Sequence, residues 1–171
     1  MEAVHGDIAN QPDMTAIVNA ANARLMPGGG VAGAIHRAAG PGLEEECRPM
    51  APISAGEAVI SGGHNLPNKF VIHCLGPVYG MDKPENLLLA DCYKNVLRIA
   101  DENKIDSVAL PAISTGAFGY PFEAATDIAL ATVLDTLSEL KHVTQIRFVL
   151  FGELDYEVYL DRLRNIKNNN K

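Results

Sequence analysis

A chain of 171 residues, 47% of them hydrophobic, has apolar content for one well-buried core and too little length for two ordinary domains. Its formal net charge of −7 argues against an extended nucleic-acid surface, because backbone phosphates are held by Lys and Arg that displace counterions. No run approaches about eighteen apolar residues and Met1 to Asp7 carry no basic or long apolar stretch, so a soluble, cytoplasmic chain without a membrane partner is expected. Cys47, Cys74 and Cys92 are odd in number and form no CxxC pair, which points to reduced thiols.

In chain order, Thr15 to Asn19 reads as a short buried strand, and Val31 to Gly40 as a helix whose alanines allow close packing. Gly40-Pro41-Gly42 ends that helix. Glu57 to Ser61 and Phe70 to Leu75 are strand candidates joined by a Gly- and Asn-rich turn, hence a hairpin. Pro84 to Asn103 is a helix with one broad apolar side, and Ser107 to Pro111 an apolar strand. Phe122 to Leu140 gives another helix, Gln145 to Phe151 a strand, and Tyr156 to Ile166 an amphipathic helix. Lys167 to Lys171 is polar and expected to fray. Strands that alternate with helices and are apolar on both faces imply an α/β layered sheet, helices on each side, over residues 1–171 as one domain.

Two glycine-rich segments stand out: Met26 to Arg37, containing Gly28-Gly29-Gly30-Val31-Ala32-Gly33, and Pro111 to Pro121, containing Ser114-Thr115-Gly116-Ala117-Phe118-Gly119. Each follows a strand-like run and leads into a helix, so each can aim unpaired backbone N–H groups at an anion. In α/β sheets ligands bind beyond the carboxyl ends of the strands, where both segments fall. Three successive glycines cost roughly 0.5–1 kcal/mol each relative to alanine, which favours a close-approaching ligand over a plain tight turn. The first segment satisfies GxGxxG, but Ala20 to Pro27 separate it from its strand and no acidic strand end follows at dinucleotide spacing. Walker A spacing is also present, yet Ala34-Ile35 stand where Lys and Ser/Thr must be.

Taken together, Gly6-Asp7-Ile8, Ile17 to Asn22, Gly28 to Gly40 and Pro111 to Pro121 resemble a macrodomain of the MacroD type, with four motifs in order across almost the whole chain. The resemblance implies a three-layer α/β/α fold around a mixed sheet, a cleft for ADP-ribose, and hydrolysis of the ester joining ADP-ribose to Asp or Glu side chains, or of O-acetyl-ADP-ribose. The implied partners are ADP-ribose or an ADP-ribosylated protein, and no cofactor or metal is called for. By position, Asp7 and the Ile8 backbone would meet adenine, although Asp7 also suits a turn cap. Asn22 would meet the distal ribose and, with Gly30, form the catalytic pair. Gly28, Gly29, Gly30 and Val31 would line the distal ribose and diphosphate, and Ser114, Thr115, Gly116, Ala117 and Phe118 would wrap the diphosphate from the other side. The resemblance asks for an aromatic on adenine shortly after the last strand, where Phe151 and Tyr156 both qualify and Tyr156 is preferred. Asn19 is expected to pin the loop.

One position departs from many MacroD-type hydrolases: Ala32 stands where they carry an Asp thought to orient the attacking water. The Gly-Gly-Gly-Val-Ala-Gly form also resembles viral macrodomains, in which a water held between the ligand's phosphate and the glycine loop is the proposed nucleophile. A non-catalytic reader of ADP-ribose is the alternative, since losing a general base costs about 10²–10⁴ in rate. The histidines are scattered without metal-ligand spacing, His36 reads as a packing residue, Cys74 as a buried small hydrophobe, and Glu44 to Glu46 as a solvated helix face.

Overall fold

Successive side chains of a strand point to opposite faces, so a strand apolar at every position needs cover on both. β2 (Ala16–Ala20) is such a strand: Ala16 and Val18 join one core, and Ile17 between them joins the other. It lies in a six-stranded sheet with β1 (Glu2–His5), β3 (Ala58–Gly62), β4 (Phe70–Cys74), β5 (Ser107–Leu110) and β6 (Gln145–Leu150), in the order β1-β6-β5-β2-β4-β3. The computed structural model describes residues 1–171. All pairings are parallel except β3 with β4, which form the expected antiparallel hairpin; the sheet is therefore mixed.

Helices α3 (Glu85–Glu102), α4 (Phe122–Leu137) and α5 (Glu153–Asn169) pack on one face, around Tyr93, Leu97, Phe148 and Tyr159. The other face carries α1 (Gly30–Ala39) and α2 (Pro41–Cys47) on a smaller core that includes Ile17, Ile35, Leu43 and Val71. Three layers result, as the sequence implied. None of the helices is long and apolar enough to cross a membrane. All three cysteines are free and buried, Cys74 in the strand core as expected.

One strand was not anticipated and three expectations are corrected. Glu2–His5 forms a strand that no apolar run announced; it pairs in parallel with β6, and Arg147 fastens it by bonding Glu2 at 3.0 Å and Asp13 at 2.7 Å. Gly40-Pro41-Gly42 does not simply end a helix. Gly40, at φ +83°, closes α1 through its N–H to the His36 carbonyl and opens α2, whose first position takes Pro41. At the other end, α5 begins at Glu153 and runs to Asn169, through most of the segment expected to fray. Ile166 packs on the core and Lys167 sits favourably in the last turn, against the helix dipole. Asn19 pins no loop; its amide donates to the neighbouring strand's His73 at 3.1 Å.

Candidate functional site

Because β1, β2, β4, β5 and β6 run parallel, the segments after them emerge at one edge of the sheet. β2 and β5 are adjacent, and from them the chain order spreads both ways, so the segments after these two strands open a crevice. Both glycine-rich segments line it.

The crevice has two lobes. The first, of about 410 Å3, is lined by Asn22, Gly28, Gly29, Ala32, Gly76, Ser114, Ala117 and Phe118 among others. The second, of about 430 Å3, is lined by Asp7, Ile8, Ala34, Arg37, Thr115, Phe151 and Asp155 among others. Gly30, Val31, Ala112 and Gly116 line both, making one continuous cleft with the glycine segments facing each other at its waist. Tyr156 lines neither lobe. Its half-buried ring lies 6.1 Å from that of His5, whereas Phe151, directly after β6, is 88% exposed on the wall of the second lobe.

Backbone amides dominate the waist. α1 starts here with Gly29 as its N-cap and no capping side chain, leaving the first-turn N–H groups open. Gly28 and Gly29 donate no backbone hydrogen bond within the protein, and neither do the five N–H groups from Ser114 to Phe118. The shape is enforced from behind. A Cβ on Gly33 would overlap the Gly28 carbonyl oxygen, so the first segment folds back on α1 only because Gly33 is bare. In the second segment Ser114 holds φ +67° and its carbonyl accepts the Tyr120 N–H at 2.9 Å, while Tyr93 of α3 accepts the Ile113 N–H at 3.3 Å. A Cβ on Gly76 would overlap the buried Ser114 hydroxyl oxygen, which has no hydrogen-bond partner.

Asn22 is held by the backbone of Met26, donating to its carbonyl at 2.8 Å and accepting its N–H at 3.0 Å. One N–H and one lone pair remain for a ligand. The Asp7 carboxylate accepts the Ala9 N–H at 2.9 Å, forming a turn while still lining the second lobe. Asn22, Gly28, Gly29, Gly30, Val31, Ser114, Thr115, Gly116, Ala117, Phe118, Asp7 and Ile8 thus meet on one cleft. Sequence reasoning missed Arg37 and Asp155. Arg37 lies two helical turns along α1 from Gly30, on the same face as Val31 and Ala34, and that spacing was its only signal.

No side chain lining the Asn22 lobe is ionisable. Behind it, between the sheet and α2, lies a buried polar cluster. His73 Nδ1 accepts from Asn19, which puts its proton on Nε2, and Nε2 donates to Ser61 Oγ at 2.8 Å. The Cys47 sulfur lies 3.5 Å from the same Nε2. Burial pushes the His73 imidazole down to about 3, so the ring is neutral. His36 of α1 is buried with neither ring nitrogen hydrogen-bonded, and burial lowers its pKa too, against an opposing pull from Glu44.

The model of the Macro domain family matches residues 18–129 of the chain, which spans both glycine segments.

The chain belongs to the Macro domain family.

It is similar along nearly its whole length to other macrodomains. A Citrobacter koseri protein named O-acetyl-ADP-ribose deacetylase is 50% identical over 91% of this chain and 90% of its own length. The human ADP-ribose glycohydrolase MACROD2 is 45% identical over 93% of this chain and 39% of its own length. A mutant of the Oceanobacillus iheyensis macrodomain, solved with ADPR, is 39% identical with a TM-score of 0.91, covering 97% of this macrodomain and 92% of that chain.

Proposed function

We propose that this macrodomain binds ADP-ribose with the diphosphate at the waist of the cleft, adenosine in the Phe151 lobe and the distal ribose in the Asn22 lobe. One observation carries the reading: two segments with free consecutive amides face each other across a cleft whose lobes meet between them. Amide dipoles at a helix start hold an anion without a cation, which suits a chain of net charge −7. The ADPR complex of the similar Oceanobacillus macrodomain supports the same ligand class. In this reading the exposed ring of Phe151, rather than that of Tyr156, stacks on adenine, and Asp7 accepts from its amino group.

We further propose that the bound ligand is hydrolysed when its distal ribose carries an acyl ester. Water adds across the ester, returning a carboxylic acid and a ribose hydroxyl. The name of the Citrobacter relative, a deacetylase of O-acetyl-ADP-ribose, supports this chemistry, and that of the human relative supports hydrolytic chemistry on an ADP-ribose linkage more broadly. With no ionisable side chain in the Asn22 lobe, the water's acceptor is the ligand's own phosphate, and Gly30 and Asn22 hold ester and water in place. The second reading, a reader that releases ADP-ribose unchanged, draws on the same feature, since Ala32 supplies no carboxylate.

Turnover of an auto-modified ADP-ribosyltransferase separates the two. Slow, measurable release, diminished in Asn22→Ala, is expected of the hydrolase; no release at high enzyme concentration leaves the reader. Calorimetric titration with ADP-ribose tests binding itself, and absence of any heat or spectral change sinks both.

A further inference from the structure

We propose that Tyr79 and Met81, on the segment joining β4 to α3, form a docking ledge for the polypeptide that carries the ADP-ribose; this rests on the assignment of the distal ribose to the Asn22 lobe. Tyr79 is 47% exposed and Met81 78% exposed, so two large side chains with apolar surface stand open within three residues of one another. They are not on a loose loop. The Tyr79 N–H donates to the Phe118 carbonyl at 2.9 Å, and its ring lies 4.8 Å from that of Tyr120. Met81 and Asp82 donate to the Val78 carbonyl at 3.1 and 2.9 Å, and the Asp82 carboxylate accepts the Val78 N–H at 2.8 Å. The ledge is ordered before any partner arrives, which lowers the conformational cost of docking.

Its place decides the occupant. Gly76, at the start of this segment, and Phe118, which the segment grips, both line the Asn22 lobe. In this proposal, whatever is attached to the distal ribose leaves the cleft past this wall. An acetyl group ends inside the lobe, whereas a modified Asp or Glu continues into a main chain that runs over Tyr79 and Met81. The ledge therefore discriminates between substrates sharing one reaction: it adds contact to an apolar-flanked protein segment and none to O-acetyl-ADP-ribose.

The test is kcat/KM for the auto-modified ADP-ribosyltransferase and for O-acetyl-ADP-ribose, with the parent chain and with Tyr79→Ser, Met81→Ser and Leu154→Ser. Leu154, 76% exposed near the opposite lobe, controls for loss of any exposed apolar side chain. Met81→Ser and Tyr79→Ser are expected to lower the protein value about 5-fold or more, through KM, and to leave the O-acetyl value within about 2-fold. Leu154→Ser should change neither. Equal losses on both substrates, or no loss on the protein by either ledge variant, overturn the proposal. So does a sedimentation mass that doubles with concentration in the parent and not in Met81→Ser, which assigns the ledge to a second copy. Should the parent turn over neither substrate, the hydrolase reading fails separately, and the ledge is read from competition as the affinity for modified protein over free ADP-ribose, with the same expected ratio.

Discussion

The Phe151 lobe presents Asp7, Arg37, Asp155 and an open aromatic ring, whereas the Asn22 lobe presents glycines, alanines, one amide and no charge. The first can recognise a base and a ribose by side-chain chemistry. The second can only hold and shape, because its polar groups are main-chain N–H donors, the half-occupied Asn22 amide and the Ser114 hydroxyl, none of them ionisable. On the proposed function, selectivity and reactivity thus have separate owners in one cleft, and changes in the two lobes should fail in different ways.

The sharpest way to break that division is to put a charge where there is none. Ala32 is the third residue of α1, buried against the Asn22 lobe, where a carboxylate is favoured by the helix N-terminus. Ala32→Asp is expected to raise kcat for ester release by about 10²-fold or more, with little change in affinity for free ADP-ribose. An unchanged kcat in single-turnover assays would mean that a protein base is not what limits the lobe. Gly33→Ala attacks shape instead: its Cβ meets the Gly28 carbonyl, the first segment lifts, and ADP-ribose affinity falls about 10²-fold in calorimetry. Helix propensity alone predicts the opposite, a slightly more stable protein with unaltered binding.

In the Phe151 lobe the expected losses are smaller and confined to affinity. Phe151→Ala removes a stacking surface and should cost about 1–3 kcal/mol of ADP-ribose binding, while Tyr156→Ala should leave Kd unchanged and lower Tm, since its ring packs on the core. Reversal of those two outcomes would return the adenine to Tyr156. The smallest effect lies behind the Asn22 lobe. Unfolded imidazoles titrate near about 6.5, while His73 is pushed down to about 3 and His36 is lowered too, so between those values the unfolded chain binds more protons. Stability therefore rises with pH across that window and is lost as pH falls below about 6.5. Between about pH 5 and 6.5, above the range where Glu2, Asp13, Asp101 and Asp106 lose their hydrogen-bonded charge, the slope is at most about 1.4 kcal/mol per pH unit for each histidine. Urea midpoints should trace it, and His73→Gln should flatten it.

Much of this was legible in the chain. β2, β4, β5 and β6 were marked by apolar runs because their strands are covered on both faces, and the glycine segments by a spacing that only close backbone approach explains. β1 was not, because its strand character comes from a partner more than a hundred residues away, through the Glu2 to Arg147 register. Gly40-Pro41-Gly42 read as punctuation; whether punctuation ends one helix or turns into the next depends on the packing of Leu43 and Cys47, which no local signal carries. Phe151 and Tyr156 both qualified in sequence and Tyr156 was preferred, yet Tyr156 lies off the cleft, since five residues decide between wall and core only once the start of α5 is fixed at Glu153. Arg37 gave only a helical spacing, and the ledge of Tyr79 and Met81 gave none.

Reliance on main-chain donors at the waist has a kinetic side. A protein of net charge −7 and a doubly negative ligand repel each other at a distance, and Arg37 is the one cation on the cleft wall to set against this. Added salt should then quicken encounter by screening the repulsion while hardly touching escape, because the short contacts that retain the nucleotide lie well inside a Debye length. Capture by this cleft should strengthen modestly with ionic strength, the reverse of what a lysine-lined phosphate site would do.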